Sequence, residues 1–182
     1  MNPVLDPYSS LNILFRPAHP EDFDSITHYF VMQNENIICK AVGVLNIRNV
    51  IKEGLAKQVV TNGKDVIYVH KFFVVETLAT TPNKILGVAD VFHLPTTSEK
   101  FKYRLNFNLL RLDESACNKG IELNFLDYIM DQYPRYDLDF FIPIGSEADK
   151  SLLRKAGFSF SKKEDADFET WSFPWSRRQV LN

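Results

Sequence analysis

Between residues 101 and 112 the chain reads FKYRLNFNLLRL, in which Phe101, Tyr103, Leu105, Phe107 and Leu109 alternate with Lys102, Arg104, Asn106 and Asn108. A period of two puts the apolar set on one face of a β-strand and the polar set on the other. LNILFRP, residues 11–17, is a short apolar run ended by Pro17 and reads as a first strand. In HPEDFDSITHYFVMQ the period changes, because Phe23, Ile26 and Phe30 recur at helical spacing. Pro20 suits a first helical position there, and Glu21 and Asp22 fall in the first turn, where the helix dipole favours acids. NIRNVIKEGLAKQ predicts a second helix with Ile47, Val50, Ile51 and Leu55 on one face and Asn46 as its cap, weakened by Gly54.

After TNGKD, a turn, the runs VIYVHKFFVVETL (66–78) and ILGVADVFHL (85–94) are rich in β-branched and aromatic residues and predict neighbouring antiparallel strands. KGIELNFLDYIMDQY leaves only Asn124, Asp127 and Asp131 as a narrow polar stripe, so it predicts a largely buried helix. YDLDFFIPI reads as a strand and SEADKSLLRKA as a helix capped by Ser146 and ended by Gly157; FSFS and FETWSFPW read as closing strands. The order β-α-α-β-β-β-α-β-α-β-β implies an α/β (α+β) fold with a mixed, mostly antiparallel central sheet flanked by helices. The strand–helix–strand step within it makes one parallel pair. No repeat or linker divides the chain, and residues 1–182 are expected to form a single domain.

A net charge of −2 and 24% charged residues give no electrostatic footprint for nucleic acid or a membrane surface. Cys39 and Cys117 are too few and too far apart for a disulfide framework, and no metal site is expected. No signal-peptide pattern opens the sequence and no run approaches the roughly 20 apolar residues of a spanning helix. A cytoplasmic protein with reduced thiols is expected.

Candidate chemistry centres on RLDESACNKGIELNFLDYIM, residues 111–130, where Gly120 stands between a strand and a helix. A glycine there lets the backbone approach a ligand, and the amides of a helix's first turn attract phosphate; simple turn geometry is the plainer alternative. The stretch resembles the acyl-CoA pyrophosphate loop of the GNAT superfamily of N-acetyltransferases. Leu112, Asp113 and Glu114 occupy its Val-x-Pro positions, and CNKGIE occupies the Gln/Arg-x-x-Gly-x-Gly/Ala loop, with Gly120 and Ile121 matching. SEADKSLLRKAGF resembles a second family segment through Leu152, Gly157 and Phe158. The sequence departs from the family at Cys117 for Gln or Arg, Glu122 for Gly or Ala, Ser146 for Asn, and Leu153 for the tyrosine that protonates the departing thiolate.

The resemblance implies a divergent GNAT fold and an N-acyltransferase, with acetyl-CoA or another acyl-CoA as co-substrate and a small-molecule or protein amine as acceptor. A homodimer is one assembly it allows. It also implies a splay between the strands at 103–112 and 137–144. Pantetheine contacts would come from the backbone of Leu110, Arg111 and Leu112, and diphosphate contacts from Cys117, Asn118, Lys119, Gly120, Ile121 and Glu122, with Ser146 beside them. For the base, Asp90 draws notice inside an otherwise apolar strand; it is either a carboxylate with a raised pKa or one on an exposed face. Glu76 and His93 are alternatives, and Tyr103 or Tyr128 could replace the missing tyrosine as proton donor. Cys117, near a helix N-terminus, is expected to have a lowered pKa and offers a minor nucleophile reading. A GNAT fold that has lost catalysis and serves as a binding module is the competing reading. The closing PWSRRQVLN reads as a solvated tail or a docking segment.

Overall fold

The structure is a computed structural model and describes residues 12–31, 44–57, 59–62, 65–79, 84–93, 104–114, 116–117, 120–134, 136–174 and 176. Its strands are β1 (Ile13–Pro17), β2 (Val59–Asn62), β3 (Asp65–Thr77), β4 (Lys84–His93), β5 (Arg104–Leu112), β6 (Asp137–Pro143), β7 (Ser159–Lys163) and β8 (Phe168–Phe173). Its helices are α1 (Phe23–Val31), α2 (Val44–Lys57), α3 (Ile121–Gln132) and α4 (Glu147–Lys155), with a short 3-10 turn at Pro20–Asp22. All eight strands join one sheet in the order β1-β3-β4-β5-β6-β8-β7, with β2 pairing β3 off that path.

The β5–α3–β6 crossover makes the parallel pair, and the other pairings are antiparallel. Alternation then divides the core. Phe73, Val75, Ala89, Val91, Leu105, Phe107 and Leu138 pack on one face with Ile121, Phe125, Leu126 and Ile129 of α3 and Leu153 of α4. The intervening Phe72, Val74 and Val88 pack on the other with Ile26 and Phe30 of α1 and Val50 and Ile51 of α2. Each sheet face thus buries the apolar stripe of a helix pair.

Three expectations are corrected. Helix α2 begins at Val44, so Asn46 lies inside its first turn rather than capping it. Val59–Asn62, with Thr61 and Asn62 expected in a turn and Val59 and Val60 in no element, forms strand β2 by pairing with β3; a four-residue strand is too short to show a period. The period of two in 101–112 is broken after Phe107. Asp90 faces Leu109 and Val91 faces Phe107, so Asn108 is an extra residue, a bulge. Leu110 packs in the core with Leu105 and Phe107. Residues 101–103, the loop near 95–100 and the tail from Arg177 lie outside the described residues.

Candidate active-site cleft

Strands β5 and β6 pair only from Arg104↔Asp137 to Phe107↔Phe140. Beyond that point β5 continues to Leu112 beside β4, while β6 continues to Pro143 beside β8. The Asn108 bulge marks where they part, and a bulge bends and twists its strand. At about 3.3 Å per residue, the end of β5 runs for roughly 15 Å paired with β4 on one edge and not with β6 on the other. The splay expected between these strands is present.

The loop leaving β5 is folded tightly against its neighbours. The Asp113 amide donates to the Leu86 carbonyl at 2.7 Å, and the Ala116 amide donates to the Asp113 carbonyl at 2.8 Å. Gly120 then takes φ 74°, ψ 2° at the cap of α3, a left-handed conformation that L side chains avoid. Its carbonyl accepts the first helical bond, from the Asn124 amide at 3.2 Å. Ile121 and Phe125 lock this turn into the core. Asn118 and Lys119 lie outside the described residues.

Acids surround this mouth. Burial pushes the Cys117 thiol up from its ordinary pKa, and the Glu122 carboxylate raises it further through charge and a hydrogen bond, followed by Asp113 and Glu114. The expectation of a lowered pKa is therefore overturned, because the carboxylates oppose the helix end. The Asp113 carboxylate also pairs with Lys84 at 3.2 Å. Tyr29 of α1 approaches the back of the same loop; burial, then Asp113 and Cys117, push its hydroxyl up to about 12. No local motif singles out Tyr29, whose position follows from helix packing.

An ion pair ties the strand end to the following helix. Arg111 donates to Asp149 through both terminal nitrogens, Nη1 to Oδ1 at 2.6 Å and Nη2 to Oδ2 at 3.2 Å. Ser146 occupies the cap position of α4, but its hydroxyl donates to Asp149 instead of capping the helix by a side-chain bond. Leu153, one further turn along, is 1% exposed and belongs to the core. Asp149 is the member of this group that motif reading passed over.

Asp90 is fully buried on the face covered by α1 and α2, which excludes the exposed-face alternative. Glu76 lies on that face too, but four residues along β3 from Phe72, the partner of Asp90, hence roughly 13 Å away. It accepts from Arg16 Nε at 2.7 Å, and Arg16 also grips Asp22 at 2.8 and 3.0 Å. The sheet therefore does not bring Glu76 and Asp90 together. Tyr128 packs on Phe15 and Phe73 with ring centroids 5.8 and 6.1 Å apart, a core aromatic. Tyr103 and the His93 side chain lie outside the described residues. Among the described residues no group of three or more His, Cys, Asp or Glu is placed to hold a metal, and no helix is long and apolar enough to cross a membrane.

No family model matches the chain, and no curated protein matches it. Solved structures do. The putative acetyltransferase yncA of Salmonella typhimurium, solved with its cofactor acetyl-CoA, aligns at TM-score 0.65 and 14% identity over 90% of this chain and 94% of its own. The spermidine/spermine N-acetyltransferase SpeG of Vibrio cholerae aligns at 0.64 and 10% identity over 93% and 99%. An acetyltransferase of the GNAT family from Streptococcus pneumoniae aligns at 0.62 and 14% over 88% and 98%. The agreement covers 88–93% of this chain, so the chain has the GNAT acetyltransferase fold, in a divergent sequence.

Proposed function

We propose that this protein is an acyl-CoA-dependent N-acyltransferase, an acetyltransferase by preference, working on an amine in the cytoplasm. The supporting observation is the cleft: two adjacent parallel strands part after Phe107 and Phe140, and a helix begins at the open end on a left-handed glycine. An extended pantetheine arm fits such a gap, with strand-edge amides and carbonyls of Leu110, Arg111 and Leu112 as partners. The diphosphate would meet backbone amides at Cys117, Gly120 and Ile121, at the start of α3. Among the fold neighbours one was solved with acetyl-CoA and another is a polyamine acetyltransferase, which agrees with a thioester donor and an amine acceptor.

The chemistry is direct transfer. The neutral amine nitrogen attacks the thioester carbonyl, a C–N bond forms, the C–S bond breaks, and the CoA thiolate leaves and takes up a proton. Holding the two reactants in line supplies much of the rate. Asp90, buried in β4 next to the bulge, is the proposed proton acceptor. Isothermal titration with CoA and acetyl-CoA tests the binding; absence of heat at millimolar ligand sinks the proposal. Turnover with polyamines, peptide N-termini and lysine peptides tests the chemistry, and Asp90→Asn should abolish it while leaving CoA binding intact.

The acids at the mouth and the burial of Leu153 where a proton-donating tyrosine would stand favour a second reading, a GNAT-fold binding protein without catalysis. Robust transfer to any amine ends that reading.

A further inference from the structure

The mouth of α3 carries Asp113, Glu114 and Glu122, and the nearby Lys84 is already paired with Asp113. A diphosphate arriving there meets carboxylates, and among the described residues the cation standing next to this mouth besides Lys84 is Arg111. Arg111 stands next to the last residue of β5, along the edge that β6 has left. Its backbone partner is Val88, whose side chain packs on the α1/α2 face, whereas Asp149 begins α4 on the opposite side of the sheet. The guanidinium meets its carboxylate at the C-terminal ends of β5 and β6, past the point where the two strands stop pairing. The side chains are 33% and 14% exposed, which leaves the arginine within reach of an entering ligand.

We propose that Arg111 takes the diphosphate of an acyl-CoA, and that Asp149 holds it across the cleft until that anion displaces the carboxylate. This rests on the acyl-CoA reading above. A guanidinium fork that grips a carboxylate with two parallel bonds grips phosphate oxygens the same way, so the exchange swaps like for like. Asp149 is not stranded when Arg111 leaves: it keeps the Ser146 hydroxyl and sits in the first turn of α4, where the helix dipole favours a negative charge. That residual support makes the pair a latch and not a fixed strut. The cleft is closed by the same charge that, once released, neutralises the ligand.

The test titrates CoA and pantetheine, which lacks the diphosphate, into the intact protein and into the Arg111→Gln, Arg111→Lys and Asp149→Asn variants. Arg111→Gln should weaken CoA by about tenfold or more while leaving pantetheine unchanged, and Arg111→Lys, which keeps charge but not the fork, should fall between. Asp149→Asn should tighten CoA, because the competitor is gone and the Ser146 contact can persist. Equal weakening of CoA and pantetheine in both Arg111→Gln and Asp149→Asn marks a purely structural pair and overturns the inference. Tightening in both marks a passive bar and overturns it too. Wild-type binding of CoA that no variant moves removes this inference alone; absence of CoA and pantetheine binding in every protein, with melting curves showing them folded, removes the acyl-CoA reading with it.

Discussion

Gly87 of β4 and Leu112 of β5 are backbone partners so close that a β-carbon on Gly87 would lie 2.9 Å from Leu112 Cγ and 2.9 Å from the Arg111 carbonyl oxygen. The end of β5, where the cleft opens, is thus seated directly on a bare glycine. Gly87→Ala should push β5 outward and cost about 1–3 kcal/mol, the usual cost of overpacking. Urea denaturation reads the loss; an unchanged midpoint means that β5 can shift at no cost.

Gly120 makes a separate demand. Its φ of 74° is strained for any residue with a β-carbon, so Gly120→Ala should cost about 1–2 kcal/mol. The same substitution should weaken CoA more than pantetheine, because it disturbs the turn proposed to take the diphosphate. Calorimetry on both ligands decides, and an equal effect on the two places the turn outside the site.

Arg16 joins Asp22 and Glu76 in a part-buried cluster that ties β1 to β3 and to the start of α1. Burial by itself would raise the Asp22 pKa, but the Arg16 guanidinium and the His19 amide outweigh it and hold the carboxyl below its ordinary value. A depressed folded pKa contributes stability above the unfolded value, near 3.9 for an aspartate, and loses it as pH falls through the folded value. Arg16→Met should therefore cost about 1–3 kcal/mol at neutral pH, discounted for residual solvent, with the penalty narrowing below about pH 4. Denaturation midpoints at pH 7 and pH 3 give the comparison, and a penalty unchanged at pH 3 contradicts the assignment.

Cys117 should react slowly with iodoacetamide at pH 8, since burial and then Glu122 keep the thiol protonated. Glu122→Gln removes one of those causes, lowers the thiol pKa and should speed alkylation about three- to tenfold. Peptide mass spectrometry separates Cys117 from Cys39. Equal rates in the two proteins mean that burial alone protects the sulfur.

Much of the fold is legible in the chain because it follows from local periodicity. The apolar stripe of residues 121–132, the run of 85–93 and the Ser146 and Gly157 boundaries each report their own element, and the crossover between β5 and β6 follows from their order. Where a decision needs a partner strand, the pattern is silent. Residues 59–62 become β2 because β3 is there to pair with them, and the bulge at Asn108 exists only in the register against Asp90 and Val91.

The candidate site divides along the same line. The strand–glycine–helix junction at residues 112–121 is a local sequence feature, fixed by the need for a left-handed turn, and so was readable; so were the departures at Cys117, Glu122 and Leu153. Tertiary structure alone decided that Glu122 bears on the Cys117 thiol, that Leu153 is core, and that Glu76 belongs to Arg16, 60 positions away in the chain. It likewise set Arg111 against Asp149, 38 residues on. Periodicity encodes which face a residue takes within its own element, whereas which charges meet depends on how separate elements stack, and nothing in the local spacing of either partner records that distance.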